Sequence, residues 1–169
     1  MMGSYFLNGE IKMDCCIENG NKRFRYRACA IIIEDGYVLF ARNSKDDYYY
    51  SIGGAVQIGE TLEDAVKREV YEETGEDYEI DRPVFFHESF FNGSGTLSGF
   101  ECHEIAFYYL MKSKGKKELN CTSIATCGAK EKVCWLPIEK LNEYKAFPVF
   151  FSKELKNLPS EIKHIVTKE

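Results

Sequence analysis

The sequence predicts an α/β fold, an α/β/α sandwich organised on a mixed β-sheet. Three observations carry that expectation: strand-like runs lie on both sides of one well-bracketed helix, turn dipeptides punctuate the early runs, and helical segments gather near the C-terminus.

Residues 10–18 and 23–33 read as strands around Asn19-Gly20, a strong hairpin signal. Residues 24–33 pass from alternation into a continuous apolar run, so the end of that strand belongs in a central, buried position. Asp35-Gly36 then turns the chain into residues 37–42, the arm of a second hairpin. Thr61 is a natural N-cap with Asp64 three residues on, and Gly75 suits the left-handed C′ position, which brackets a helix over residues 62–74. Two long strands follow, 78–92 and 100–112, around a Gly- and Ser-rich loop at 92–99. Residues 113–131 form a polar excursion. A short strand at 133–136 precedes Pro137, which opens a helix over 138–143, and another helix is expected over 149–157, before Pro159.

A chain of 169 residues and 19.5 kDa supports one sizeable core and is short for two, so residues 1–169 are expected to form a single domain. Its 44% hydrophobic and 14% aromatic content describes a globular protein. With a net charge of −5 and no basic run, duplex nucleic acid is not an expected partner, and a small anionic substrate neutralised by metal fits better. The seven cysteines, Cys15, Cys16, Cys29, Cys102, Cys121, Cys127 and Cys134, are odd in number and form no CxxC pair. In a chain without a signal peptide they read as free thiols, which places the protein in a reducing cytoplasm. No apolar stretch approaches the roughly 20 residues that cross a bilayer, so no membrane association is expected.

The helix carries its chemistry in its second half, where Arg68-Glu69 and Glu72-Glu73 precede Gly75. At about 100° per residue, Glu69, Glu72 and Glu73 share one face. Leu62, Ala65 and Val66 lie on the same side in the first half, so this face is expected to point at the protein body. Carboxylates placed so repel one another and resist desolvation, and a hard divalent cation offsets both effects. From the glutamates alone, a solvated acidic stripe is the alternative. The surroundings weigh against it: Gly53-Gly54 follows an aromatic run and lets the backbone approach a ligand, and Glu60 stands six residues beyond Gly54.

With five residues between Gly54 and Glu60, and seven between Glu60 and Arg68, the segment resembles the signature of the Nudix hydrolases. Gly54, Glu60, Arg68, Glu69, Val70, Glu72, Glu73 and Gly75 occupy the signature places, and Glu76 stands where an aliphatic residue is usual. The resemblance covers about residues 24–158 and leaves residues 1–23 as an N-terminal extension that adds a strand or helps dimerisation. It implies the Nudix α/β/α fold and a metal-dependent pyrophosphohydrolase, cleaving the diphosphate linkage of a nucleoside diphosphate derivative with Mg²⁺ or Mn²⁺ as cofactor. Glu69 and Glu73 are implied as the first metal ligands, Glu72 as the third carboxylate and a catalytic candidate, and the Gly54 carbonyl as an addition. Arg68 is implied to orient a carboxylate, with Glu60 as its partner. Water is the nucleophile. The base is either a box glutamate or a downstream carboxylate, for which Glu104 at the head of a strand is the candidate; a plain sheet-edge glutamate is the alternative.

Arg27 and Arg42, with Arg25, are candidate phosphate clamps because a guanidinium matches phosphate in a bidentate way, and Glu60 borders the same substrate side. Tyr48, Tyr49, Tyr50, Phe85, Phe86, Phe90 and Phe91 offer faces for a base, although strand alternation assigns most of them to packing. His87 and His103 are either phosphate or base contacts or structural residues. The expected substrate is a small nucleotide: ADP-ribose or another nucleotide sugar, or a (deoxy)nucleoside triphosphate. A catalytically silent nucleotide sensor is the second reading, which the intact Glu69, Glu72 and Glu73 disfavour. A homodimer is the oligomeric state that the resemblance suggests.

Overall fold

The computed structural model describes residues 4–7, 10–119 and 131–169, so Cys121, Cys127 and much of the polar excursion lie outside the described residues. The chain runs β1 (Ser4–Leu7), β2 (Glu10–Met13), β3 (Cys16–Asn19), β4 (Lys22–Ile31), β5 (Ile33–Glu34), β6 (Tyr37–Asn43), β7 (Tyr49–Ser51) and β8 (Gly53–Ala55). Helix α1 (Leu62–Thr74) follows, then β9 (Ile80–Asn92), β10 (Glu101–Met111), β11 (Glu131–Pro137), β12 (Ala146–Phe147), α2 (Phe151–Glu154) and β13 (Lys163–Lys168).

The larger sheet has the order β13-β9-β10-β4-β3, with β8 also paired to β4. In it, β10 lies parallel to β4 and β13 parallel to β9, and the other pairs are antiparallel. The smaller sheet runs β11-β6-β7-β12, with β5 on β6, and β12 is parallel to β7. β1 and β2 pair with each other.

Alternate residues of β4 and β6 feed two cores. On one side Ala28, Ala30, Leu39 and Ala41 meet Ala65, Val66 and Val70 of α1. On the other, Cys29, Ile31, Val38 and Phe40 meet Phe85, Tyr108, Leu141, Phe151 and Leu155. Strands sealed on both faces read as continuous apolar runs, which is why the end of β4 looked central. This is the expected sandwich with a thin second helical layer. The segment 138–143 is a 3₁₀ helix, and the helix expected over 149–157 shrinks to Phe151–Glu154, because Phe150, Phe151 and Leu155 are drawn into the second core rather than along a helical stripe.

The caps of α1 act as predicted. Thr61 Oγ1 accepts from the Asp64 amide at 3.1 Å, and Gly75, at φ +71°, donates its N–H to the Tyr71 carbonyl at 2.8 Å. Asp35 and Gly36 have φ of +49° and +79°, as the two-residue turn between β5 and β6 requires. The single strand expected over 10–18 divides at Asp14, which bridges to Gln57. β3 then extends the sheet from within the N-terminal extension. β13 lies beyond the expected core; its polar sequence hides a strand whose alternation shows only once β9 supplies a neighbour. Cys15, Cys16, Cys29 and Cys102 are free thiols. Among the described residues no helix is long and apolar enough to cross a membrane.

Phe40 is fully buried and its ring centroid lies 5.9 Å from that of Phe151. Phe40→Ala is therefore expected to destabilise the fold by about 3–5 kcal/mol. Urea denaturation measures it, and a loss below about 1 kcal/mol would show that the second core closes around the gap.

Candidate active site

Glu73, on the inward side of the last turn of α1, is buried. Its Oε1 accepts the Gly53 N–H at 3.0 Å, while Oε2 is buried with no hydrogen-bond partner among the described residues. Burial pushes its pKa well above the carboxylate range. Burial also raises Glu69, one turn earlier, although Arg68 donates to it at 2.6 Å. A Cβ on Gly54 would lie 2.6 Å from the Glu69 carboxylate. At Gly53, φ is +127° and a Cβ would strike the Ala28 carbonyl. The glycine pair is needed because β8 is pressed between β4 and α1.

Arg68 holds this arrangement in register. It grips Glu60 with two parallel bonds, Nε to Oε1 at 2.8 Å and Nη2 to Oε2 at 2.9 Å, and Nη2 also reaches the Ala55 carbonyl at 3.2 Å. Burial opposes ionisation of Glu60, but the Arg68 bonds and the Gln57 amide hold its pKa below the usual range. The structure thus pairs Arg68 with Glu60. Glu72 departs from expectation: it is exposed at the solvent rim, touching Arg68 at 3.3 Å, because the last turn carries it about 100° away from Glu73 and past the edge of the core. Glu76, the position that departs from the signature, replaces an apolar contact with ion pairs to Lys114 at 2.8 Å and Lys116 at 3.1 Å.

Opposite Glu73 stand Tyr50 and Glu131, joined by a hydrogen bond from the Tyr50 hydroxyl. The charge of Glu131 is among the causes that raise Glu73. Sequence reading missed Glu131, since only the β11·β6 register, which sets it beside Asn43, brings it near the box. Asn43 Nδ2 in turn donates to Asp46 at 2.9 Å, and Asp46 accepts from the amide and hydroxyl of Thr96, both at 3.2 Å. The loop between β9 and β10 is thereby tied to the smaller sheet.

Glu104 is buried beneath Arg27, Arg25 and Arg23, at 3.2, 3.6 and 3.9 Å. Against the pull of burial these guanidiniums hold its pKa down. A carboxylate so neutralised is a poor proton acceptor, which favours the structural alternative for Glu104 over the role of base. Arg27 is at the site, donating to the Gly53 carbonyl at 3.0 Å. Arg42 is not: it is exposed on the face turned from α1, with its guanidinium 5.5 Å from the Tyr49 ring. Most of the flagged aromatics pack against one another, Phe86 on Phe107, Phe90 on His103 and Tyr48 on Phe147. His87 is buried and bonded to Thr167 at 2.9 Å.

Among the described residues no three His, Cys, Asp or Glu side chains converge into a metal-holding group. Two features nonetheless suit a hard cation: the orphaned Glu73 Oε2, and the cradle left by the missing side chain of Gly54 beside Glu69.

A family model described as the NUDIX domain matches residues 23–155. The chain belongs to the Nudix hydrolase family. Among solved structures, the mutator MutT protein from Bacillus halodurans aligns with a TM-score of 0.59 at 17% identity, covering 85% of this chain and 90% of that one. The MutT protein from Methanosarcina mazei Go1 gives 0.55 at 22%, covering 79% and 91%. An ADP-ribose pyrophosphatase from Streptococcus suis 89-1591 gives 0.54 at 14%, covering 85% and 98%. Identities this low speak for the fold alone. No match was found among curated proteins. Nudix hydrolases as a family act on small nucleotide derivatives, generally with a divalent metal.

Two outcomes follow from this geometry. Gly54→Ala should displace Glu69 and abolish hydrolysis while the circular dichroism spectrum stays native; retained activity would show that the cradle can relax. Burial lowers the pKa of His87 from 6.5 to about 4. Over that interval the unfolded chain takes up a proton that the native state refuses, so stability falls as pH drops from 6.5 towards 4. Denaturation midpoints should fall less steeply across this window in His87→Gln, and parallel curves would refute the assignment.

Proposed function

We propose that this Nudix hydrolase is a divalent-metal-dependent pyrophosphohydrolase that cleaves the diphosphate linkage of a nucleoside diphosphate derivative, a nucleotide sugar or a (deoxy)nucleoside triphosphate. The observation that carries the reading is the buried Oε2 of Glu73, without a hydrogen-bond partner among the described residues, beside Glu69 and the Gly53-Gly54 backbone. Glu73, Glu69 and the Gly54 carbonyl would hold Mg²⁺ or Mn²⁺, with Glu72 reaching in from the rim. When bound, the cation supplies charge neutralisation on the phosphate oxygens and acidifies a water.

The remaining work falls to the chain itself. Arg68 fixes Glu69 through a bond at 2.6 Å and is braced by Glu60, so the ligand carboxylate does not have to be ordered at each turnover. Arg27 anchors the Gly53 carbonyl, and through it the glycine pair. Glu131, held by the Tyr50 hydroxyl across from Glu73, takes the place of Glu104 as the carboxylate that accepts the proton of the attacking water. Water adds to one phosphorus, the bridging P–O bond breaks, and two phosphate-bearing products leave.

A panel of nucleoside diphosphate compounds assayed with Mg²⁺ tests this directly. Glu73→Gln should lower turnover at least about 10³-fold, and Glu131→Gln about 10²-fold, the range of general-base catalysis, with a changed pH profile. Equal turnover in Glu73→Gln would remove its metal role. No turnover of any compound by the native protein would leave a nucleotide-binding module.

A further inference from the structure

Arg23, Arg25 and Arg27 occupy alternate positions of β4 and therefore share one face. Arg27 touches the Gly53 carbonyl, and at about 3.3 Å per residue the row extends some 13 Å from there along β4. β10 answers with one carboxylate, Glu104, opposite Arg25 in register. Glu18 takes Arg23 Nε at 3.0 Å, and Asp14 lies within the field of Arg25. Acceptors still fall short: among the described residues the Arg25 guanidinium makes no hydrogen bond, its approach to Glu104 being 3.6 Å. Among the described residues, Arg23 Nη1 and Arg27 Nε are buried without an acceptor. Burial and the neighbouring Arg27 depress the pKa of Arg25, the mark of a cation short of counter-charge.

Three half-buried guanidiniums on one strand of a chain with net charge −5 are costly to maintain for packing alone. Beside Glu104 the same sheet face continues through His87, Ser89 and Thr167, which carry hydrogen-bonding but uncharged groups. The floor is thus cationic under β4 and neutral under β9 and β13. A guanidinium presents a planar fork that fits a phosphate dianion, and Arg25 is the most exposed of the three side chains, at 21%.

We propose that this row binds an anionic group of the substrate outside the scissile diphosphate, so that the substrate class is a nucleoside diphosphate derivative with an additional phosphate monoester. The proposal rests on the reading of the chain as a diphosphate-cleaving enzyme. Compound pairs that differ by one phosphate test it: ADP-ribose against its 2′-phosphate, and dephospho-coenzyme A against coenzyme A. The native enzyme should prefer the phosphorylated member of at least one pair by about tenfold in kcat/KM, the effect of one charge-assisted bond. Arg25→Gln should remove that preference, lowering kcat/KM for the phosphorylated member about tenfold more than for the unphosphorylated one. Arg25→Lys, which keeps the charge but loses the fork, should retain part of it, and it serves if Arg25→Gln does not fold. No preference in either pair, or a preference unchanged in the variants, overturns the proposal and leaves the hydrolase reading intact. If no compound is cleaved, the hydrolase reading alone fails. Calorimetric binding of the same pairs in EDTA then decides, and equal affinities overturn the row as a phosphate site.

Discussion

The structure turns on one interaction, the bond from the Gly53 amide to the buried carboxylate of Glu73. An ionised carboxylate in a closed interior carries a desolvation penalty that one neutral donor cannot offset. Burial accordingly shifts Glu73 towards its protonated form, and a cation reverses that shift. For this carboxylate to meet the Gly53 backbone, β8 must lie against both β4 and α1, which admits no side chain at either glycine. Fold and site are therefore constrained by the same few ångströms.

Around that point, charges are sorted by how far each is buried. Arg68 binds three carboxylates and a backbone carbonyl, a fork that lysine could not reproduce. Farther out, Lys114 and Lys116 tie Glu76 at the surface, where such pairs contribute little to stability. The arginine row of β4 belongs with the first group by burial, yet among the described residues Arg25 makes no hydrogen bond. Glu104 serves three cations and is held ionised by them.

The two sheets supply different parts of the site. The larger one provides the glycine pair and the arginine floor through β8 and β4; the smaller provides Tyr50 and Glu131 through β7 and β11. Helix α1 packs against strands of both, and the Thr96–Asp46 contacts join them a second time at the β9–β10 loop.

Local patterns in the sequence determined α1 to the residue, because Thr61 and Gly75 satisfy its end groups within a few positions of chain. They also determined the pairing of Arg68 with Glu60, eight residues apart in one helix–loop unit, and the inward course of Glu69 and Glu73. Tertiary structure decided what depends on distant neighbours. Glu72 emerges at the rim because the core ends beneath it, and Glu104 is spent on arginines that the parallel pairing of β10 with β4 brings opposite. Arg42 faces away because the alternation of β6 places it on the second core's side. Glu131 enters the site from 58 residues beyond Glu73 only through the β11·β6 register. Sequence spacing governs geometry within a turn or a hairpin; across a sheet, register alone selects which side chains meet.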